Sequence, residues 1–150
     1  MKIAIVGATG LVGRTFLKVL EERNFNLTEL FLFDFKEKCR NKVRFKDKEY
    51  TVEELTENSF DRDIDIALFS AGGDVSKKFA PIAVEKGVLV IDNSSAWRME
   101  SGVPLIVPEV NSEIVFKNRG IIANPNCSTI QCMLPLKALE EKIWVEKSYL

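Results

Sequence analysis

The sequence has 150 residues, of which 46% are hydrophobic and 29% are charged, a composition typical of a globular domain and unlike that of a disordered or membrane-spanning chain. Its formal net charge is −1 and its isoelectric point is near 5.7, so overall charge gives no reason to expect a nucleic acid or an anionic membrane as a partner. It contains no histidine, which excludes an imidazole general base or metal ligand within these residues.

The cysteines bear on the compartment and on metal binding. Cys39, Cys127 and Cys132 form neither an even set nor a Cys-x-x-Cys pair, so we expect no disulfide framework and no metal site. No apolar run approaches the roughly 20 residues that cross a bilayer, and the first residues lead straight into a strand pattern without a basic signal-type segment. These features predict a cytoplasmic protein with reduced thiols.

The apolar pattern predicts strands and helices in alternation. Residues 2–6 are a short apolar run that suits a buried parallel strand, and apolar positions then recur at helical spacing from Leu11 to about Arg23. Later strands are predicted at 30–33, 64–69, 88–91, 104–107 and 120–123, and later helices at 74–86 and 128–142. Pro135 should start or kink the last helix. We predict one α/β domain over residues 1–150, with a Rossmann-like, doubly wound, mostly parallel sheet.

The first predicted strand ends in a glycine turn that opens the first predicted helix. The turn is Gly7-Ala8-Thr9-Gly10-Leu11-Val12-Gly13, in which the glycines at 7, 10 and 13 allow a tight turn and a close approach to a pyrophosphate. The unpaired N–H groups and the positive dipole end of the helix favour phosphate there. We predict dinucleotide binding by this turn; the alternative is a turn that merely joins a strand to a helix.

The residues after the second predicted strand bear on the choice between NAD and NADP. Asp34 stands at the strand end, where a carboxylate accepts from the ribose 2′-OH and repels a 2′-phosphate. Cations follow at every second position: Lys36, Lys38, Arg40, Lys42, Arg44, Lys46 and Lys48. In an extended segment they share one face. We interpret most of them as the solvated face of an edge hairpin, and Lys36 and Lys38 as candidates to hold a 2′-phosphate.

Cys127 follows a predicted strand and a polar turn, and a predicted helix begins beside it. Helix N-termini stabilise a thiolate, which is the nucleophilic form of cysteine, and Ser128 or Thr129 could cap this helix. The alternative is that Cys127 only packs, as free cysteines usually do. We predict that Cys132 packs in the helix and that Cys39 has no role in a site.

Five motifs taken together resemble the aspartate-semialdehyde dehydrogenases. They are Gly-Ala-Thr-Gly-Leu-Val-Gly at 7–13, Phe-Ser-Ala-Gly-Gly at 69–73, Asp-Asn-Ser-Ser-Ala-Trp-Arg-Met at 92–99, Val-Pro-Glu-Val-Asn at 107–111 and Asn-Pro-Asn-Cys-Ser-Thr-Ile-Gln at 124–131. They occur in order between residues 7 and 131, so the resemblance spans almost the whole sequence. The related acetylglutamyl-phosphate reductases share the glycine turn and the thiol, and they are the alternative family.

The resemblance implies a reversible, NADP-linked reductive dephosphorylation of aspartyl 4-phosphate to aspartate semialdehyde, in lysine, threonine and methionine biosynthesis. It implies that Cys127 is the acyl-bearing nucleophile, that Asn126 is its neighbour in the site and that Arg98 binds phosphate. It places Thr9 to Val12 at the pyrophosphate and the turn Ser70-Ala71-Gly72 beside the cofactor. The NADP-using relatives carry an Arg-Ser pair where this sequence has Lys-Glu-Lys at 36–38, so NAD stays an alternative.

The resemblance also implies a longer protein. Family members are about twice this length, form homodimers or homotetramers, and place an acid/base histidine, a glutamine and a second substrate arginine beyond residue 150. We therefore expect the 150-residue chain to bind nucleotide weakly and to turn over no substrate by itself, and to expose surface that a second domain covers in the relatives.

Proteins with other functions share parts of this sequence pattern. A nucleotide-sensing or interaction module would keep the fold without needing a reactive Cys127. A short-chain dehydrogenase is excluded because neither Tyr50 nor Tyr149 has a lysine four residues on. A zinc-dependent dehydrogenase lacks its histidine and paired cysteines. Nucleic-acid binding through the alternating basic segment stays open as a minor alternative.

Overall fold

The computed structural model describes residues 1–143; the last seven residues of the predicted domain lie outside this range. In the described range the strands are β1 (Lys2–Val6), β2 (Glu29–Asp34), β3 (Lys42–Phe45), β4 (Lys48–Thr51), β5 (Glu53–Glu54), β6 (Ile66–Phe69), β7 (Leu89–Asp92) and β8 (Ile121–Ala123). The helices are α1 (Leu11–Glu22), α2 (Gly73–Glu85), α3 (Pro108–Asn111) and α4 (Cys127–Glu140). Short 3₁₀ turns span Lys36–Lys38, Glu57–Phe60 and Ser112–Lys117.

Six strands form one parallel sheet in the order β5-β2-β1-β6-β7-β8. From β1 the chain passes outward through β2 to β5, and it then crosses back to β6 and continues outward through β7 to β8. This is the predicted doubly wound order, and the direction reverses between β1 and β6. Ligands of such sheets bind beyond the carboxyl ends of the strands at the reversal.

The alternation of side chains along β1 divides the core between the two faces of the sheet. Ile3 and Ile5 point to one face, where they pack with Leu17 of α1, and Ala4 and Val6 point to the other. Buried residues of α2 and neighbouring segments cover the second face. Apolar residues on both faces of β1 explain the near-continuous apolar run in its sequence.

The basic segment is a hairpin, but it is not the single extended row of cations that the alternation predicted. Arg40 and Lys46 have positive φ values of 68° and 52°, so the chain turns at both positions and the extended part of the row shortens to β3. β3 and β4 form their own antiparallel sheet, which contacts β2 and α1. Phe45 is only 3% exposed and joins the core beside α1. Burial of this ring explains why the hairpin covers a face of the sheet rather than extending its edge.

Two further predictions differ from the structure. Residues 104–107 do not form a strand, and make only one bridge, between Leu105 and Ala123. Pro135 lies inside α4, which begins at Cys127, so the proline does not start the helix. α4 has no buried residue, and Cys132 is exposed, so the prediction that Cys132 packs is wrong. Within residues 1–143, no helix is both long enough and apolar enough to cross a membrane.

Candidate active site

The glycine turn is built from close contacts between backbone segments. Gly7 has a φ of +88°, and the N–H groups of Gly7 and Ala8 donate to the carbonyl of Phe33 at the end of β2, at 2.9 and 3.2 Å. A Cβ on Gly7 would overlap the carbonyl of Ser70, and one on Gly13 would overlap the carbonyl of Gly7. The ends of β1, β2 and β6 therefore approach each other as closely as the backbone allows.

The first turn of α1 faces open space with its backbone donors free of side-chain caps. Gly10 is the N-cap and offers no capping side chain, and Leu11 is 85% exposed. The first N–H groups of a helix lack partners inside the helix. The N-terminus of α2 is open in the same way. Its N-cap is Gly72, which has a φ of +95°, and no atom lies within 4 Å of a Cβ built on it. The glycine turn and Ser70-Ala71-Gly72 thus adjoin, as a dinucleotide cradle requires.

Asp34 is turned into the protein rather than toward a ligand. Its side chain is 1% exposed. Its Oδ2 accepts from the N–H and the hydroxyl of Thr9, at 2.9 and 2.6 Å, and its Oδ1 accepts from the N–H of Phe35 at 2.9 Å. Burial raises the pKa of this carboxyl, but these hydrogen bonds and the charge of Lys38 lower it by more, so the pKa lies below its ordinary value. The sequence placed Asp34 at the strand end and gave no sign of the bonds to Thr9.

The glycine turn has cations beside it other than the two predicted ones. Lys36 and Lys38 are exposed on a 3₁₀ turn, where the Lys38 ammonium lies 3.7 Å from Asp34 Oδ1. A recess of about 420 Å³ lies beside the turn and is lined by Thr9, Arg14, Asn41, Lys42, Val43 and Arg44. Lys42 and Arg44 also pair with carboxylates of the hairpin, at 3.0 and 3.8 Å. The sequence did not predict Arg14 as a site residue, because Arg14 stands one residue past the glycine motif.

Arg98 links the loops that follow β7 and β8. Its Nε donates to the carbonyl of Asn124 at 3.0 Å and its Nη2 to the carbonyl of Asn93 at 3.1 Å. The Asn124 amide donates to Asn93 Oδ1 at 2.7 Å, which joins the same two loops a second time. Arg98 is half-buried, so it is not the isolated surface charge that lone arginines usually are. Two of its five N–H groups are used in these bonds, and an anion can take others.

The loop that carries Arg98 is anchored at both of its sides. Asp92 is fully buried, and its Oδ2 accepts from the N–H and the hydroxyl of Ser94 at 3.1 and 2.6 Å. Its Oδ1 has no hydrogen-bond partner among the described residues. Trp97 donates from its indole N–H to the buried hydroxyl of Ser76 in α2, at 2.8 Å. The loop therefore has a fixed place between α2 and the end of β7.

Cys127 is the first residue of α4 and is exposed, as predicted for a thiol at a helix N-terminus. The cap is not Ser128 or Thr129, as the sequence suggested, but Asn126. Its side-chain oxygen accepts from the N–H groups of both, at 2.9 and 3.4 Å. Asparagine is as good an N-cap as serine, and the cap precedes the first helical residue, so α4 begins one residue earlier than predicted.

The structure brings most of the predicted residues to one edge of the sheet. The glycine turn, the turn at 70–72, Arg98 and Cys127 all follow the carboxyl ends of parallel strands that are neighbours in the sheet. Lys36 and Lys38 follow β2 at the same edge, but they contact neither Cys127 nor the loop of Arg98 within the hydrogen bonds and ion pairs of residues 1–143. Cys39 is half-buried on that side, with its thiol 3.4 Å from the carbonyl of Phe35.

Comparison with known proteins found a matching family and similar proteins. The family described as "Semialdehyde dehydrogenase, NAD binding domain" matches residues 2–117. The chain is 60% identical over 149 residues to an aspartate-semialdehyde dehydrogenase of Aquifex aeolicus, a match that covers 97% of this chain and 44% of that protein. The chain thus spans less than half the length of this relative.

Solved structures of aspartate semialdehyde dehydrogenases are also similar to this chain. Aspartate semialdehyde dehydrogenase II of Vibrio cholerae, complexed with ASA, superposes with a TM-score of 0.89 at 47% identity, over 97% of this chain and 48% of that one. The enzyme of Candida albicans, solved with NADP, gives a TM-score of 0.74 at 27% identity, over 95% of this chain and 47% of that one.

Proposed function

The chain belongs to the semialdehyde dehydrogenase NAD-binding domain family, and on that premise we propose that it forms the cofactor-binding and nucleophile-bearing half of an aspartate-semialdehyde dehydrogenase. The reaction is the reversible, NADP-linked conversion of aspartyl 4-phosphate to aspartate semialdehyde, in lysine, threonine and methionine biosynthesis. The observation that carries the proposal is the position of Cys127, exposed at the start of α4 and at the same sheet edge as the glycine turn. Acyl transfer followed by hydride transfer needs both features on one edge.

Cys127 carries the acyl group. Its thiolate sulfur attacks the carbonyl carbon of aspartyl phosphate, the bond from that carbon to the phosphate oxygen breaks, and a thioester and inorganic phosphate form. When bound, a nicotinamide dinucleotide supplies a hydride. The thioester carbon accepts the hydride and the carbon–sulfur bond breaks, which returns the thiolate to Cys127 and releases the aldehyde.

The residues around Cys127 prepare the thiol for attack. Asn126 caps α4 and fixes its first turn, so that the helix presents its positive end to the sulfur. Arg98 holds the loop after β7 against Asn124, three residues before the thiol, and its remaining N–H groups bind the phosphate of the substrate. A guanidinium fork suits a phosphate because it can donate two parallel hydrogen bonds.

The glycine turn binds the pyrophosphate in this proposal. The N–H groups at the start of α1, from Leu11 to Gly13, face the phosphates, and Thr9 fixes the turn before them. The turn suits this group, because glycines at 7 and 13 allow its tight backbone packing and the Gly10 N-cap leaves the first amides of α1 without a capping side chain.

NADP is the proposed cofactor. Asp34 is buried under Thr9, so its carboxylate does not face a 2′-phosphate, and the one acidic residue of the following 3₁₀ turn, Glu37, is flanked by two lysines. Cations lie nearby on the 3₁₀ turn and around the recess, namely Lys36, Lys38, Arg14, Lys42 and Arg44. The solved NADP complex of the Candida albicans enzyme supports the same cofactor.

Acylation by aspartyl phosphate tests this function, with intact mass spectrometry as the readout. We expect one aspartyl adduct on the chain, none on Cys127→Ser, and a normal adduct on the matched variant Cys132→Ser, whose thiol is also exposed. An adduct on Cys127→Ser contradicts the role of Cys127, no adduct on the unmodified chain favours a non-catalytic nucleotide-binding module, and preference for acetylglutamyl phosphate favours the related reductases.

A further inference from the structure

The carboxylate at the end of β2 has an unusual set of partners. In doubly wound folds an acidic side chain at this position faces the cofactor and accepts from the ribose 2′-OH. Here Asp34 has a side chain that is 1% exposed, and both of its oxygens are occupied by groups of the protein. Three donors reach it at 2.6 to 2.9 Å, two of them from Thr9 and one from Phe35.

We propose that Asp34 is a positioning residue, which holds the glycine turn in its phosphate-binding shape through Thr9 and takes no part in distinguishing NAD from NADP. The inference rests on the proposed function of the turn as the dinucleotide site. It assigns Asp34 a role opposite to the one that its place at the strand end suggests.

The position of Thr9 explains why the turn needs such a bond. Thr9 lies between Gly7 and Gly10, and glycines leave the backbone on both sides free to move. Inside the turn, the backbone bond from the N–H of Gly10 to the carbonyl of Gly7 spans 3.1 Å. Asp34 ties the N–H and the hydroxyl of Thr9 to β2, which also receives the N–H groups of Gly7 and Ala8. The amides that follow Thr9 are thereby directed before a ligand arrives, which lowers the entropic cost of binding.

The charge of Asp34 is compensated where it lies. Hydrogen bonds to the carboxylate and the Lys38 ammonium at 3.7 Å balance its charge, and its side chain is almost completely buried. A ligand oxygen cannot reach the carboxylate without displacing one of these protein groups. The choice of cofactor therefore falls to the exposed cations beyond the turn.

Binding of NAD and of NADP to a set of variants tests the inference, with calorimetry as the readout. In Asp34→Asn the charge is lost, and the amide N–H₂ group faces an N–H or O–H group that donated to the carboxylate. We therefore expect the affinities for NAD and for NADP both to fall about tenfold, with their ratio unchanged. Thr9→Val should weaken both by a similar factor, Thr9→Ser should bind normally, and the double variant should be no weaker than the worse single one. Asp63→Asn, which removes an exposed carboxylate paired with Lys2 at the opposite end of β1, is the matched control and should bind normally.

A change in the NADP-to-NAD affinity ratio of Asp34→Asn would overturn the inference, because it would show that the carboxylate meets the ribose. Wild-type affinities in Asp34→Asn and Thr9→Val would overturn it as well. Hydrogen exchange at the Thr9 and Gly10 amides gives a second readout that needs no cofactor. We expect faster exchange in Asp34→Asn and unchanged exchange in Asp63→Asn. If the unmodified chain bound neither dinucleotide, the proposed cofactor function would fail, while exchange would still decide the role of Asp34: unchanged rates would refute it.

Discussion

At the scale of single residues, two glycines with the same backbone angle serve different purposes. Gly7 and Gly102 both have a φ of +88°, a conformation that side chains rarely adopt. A Cβ on Gly102 would meet open space, whereas one on Gly7 would strike the backbone of Ser70. Gly7 is therefore needed for the close approach of the turn to β6, in addition to its φ.

Replacing each glycine by alanine separates the two effects. We expect Gly102→Ala to lower the free energy of unfolding by about 1–3 kcal/mol, through φ strain alone. Gly7→Ala should cost at least about 3 kcal/mol, because overlap with Ser70 adds to the strain. Urea denaturation of both variants provides the comparison. Equal losses would show that Ser70 yields to the methyl group and that the close approach is not required.

Asp34 makes stability depend on pH in a defined direction. Burial raises its pKa and the bonds from Thr9 and Phe35, with the charge of Lys38, lower it by more. The titratable groups near it are Lys38 on the 3₁₀ turn, Cys39 directly after that turn and Glu54 on the paired strand β5. Burial, then the charges of Glu54 and Asp34, raise the pKa of the Cys39 thiol. Because the folded pKa is depressed, the carboxylate stabilises the fold above its unfolded pKa of about 3.9, and this is lost as pH falls through the folded value.

The variant Asp34→Asn should show this dependence as a difference from the unmodified protein. We expect the variant to be less stable by about 1–3 kcal/mol at pH 7, and the gap to narrow below about pH 4 as the native carboxylate is protonated. Urea denaturation between pH 3 and pH 7 measures the gap. A gap that is constant over this range would mean that the charge of Asp34 contributes nothing.

Sequence reasoning at this scale found residues whose role follows from position along the chain. Cys127 and the glycine turn were predicted because each follows a strand and opens a helix. The sequence did not predict the bond of Asp34 to Thr9, 25 positions away, or the bonds of Arg98 to Asn93 and Asn124, 5 and 26 positions away. Only the folded sheet defines the directions in which these side chains meet.

At the scale of helices and strands, periodicity predicted most elements, with small shifts at their ends. The exceptions have physical causes. Residues 104–107 are apolar enough for a strand, but they make only one bridge and then meet Pro108, the first residue of α3. The basic segment alternates as a strand does, but positive φ at Arg40 and Lys46 breaks it. Composition cannot reveal such turns when a non-glycine residue adopts them.

The start of α4 depends on the side chain of Asn126. Asn126→Ala should cost about 1 kcal/mol of helix stability, because the N–H groups of Ser128 and Thr129 lose their acceptor. Asn126→Ser supplies another good cap and should preserve the helix start. Hydrogen exchange at those two amides reports the effect, and Asn118→Ala, which changes a turn before β8, is the control. Exchange that is as slow in Asn126→Ala as in Asn126→Ser would show that the cap is not needed.

At the scale of the whole molecule, the doubly wound order was predicted from the alternation of strands and helices, and the structure confirms it. The surface was harder to foresee. α4 has no buried residue, and Met99 and Phe116 are 96% and 90% exposed. The sequence made Cys132 a packing residue because its neighbours are apolar, yet an apolar pattern on a helix does not say which other part of a protein covers it.

The central claim is that the glycine turn and Cys127 belong to one site. Alkylation of the thiols by iodoacetamide, followed by peptide mass spectrometry with and without NADP, tests it most directly. Cys132 is the matched control thiol, because it is exposed in the same helix but away from the N-terminus. Cys39, directly after the 3₁₀ turn that follows β2, is a second control thiol. The account predicts that Cys127 reacts several-fold faster than Cys132, and that NADP changes the rate at Cys127 and leaves the rate at Cys132 unaltered. Equal rates at the two thiols, with no effect of NADP on either, would contradict it.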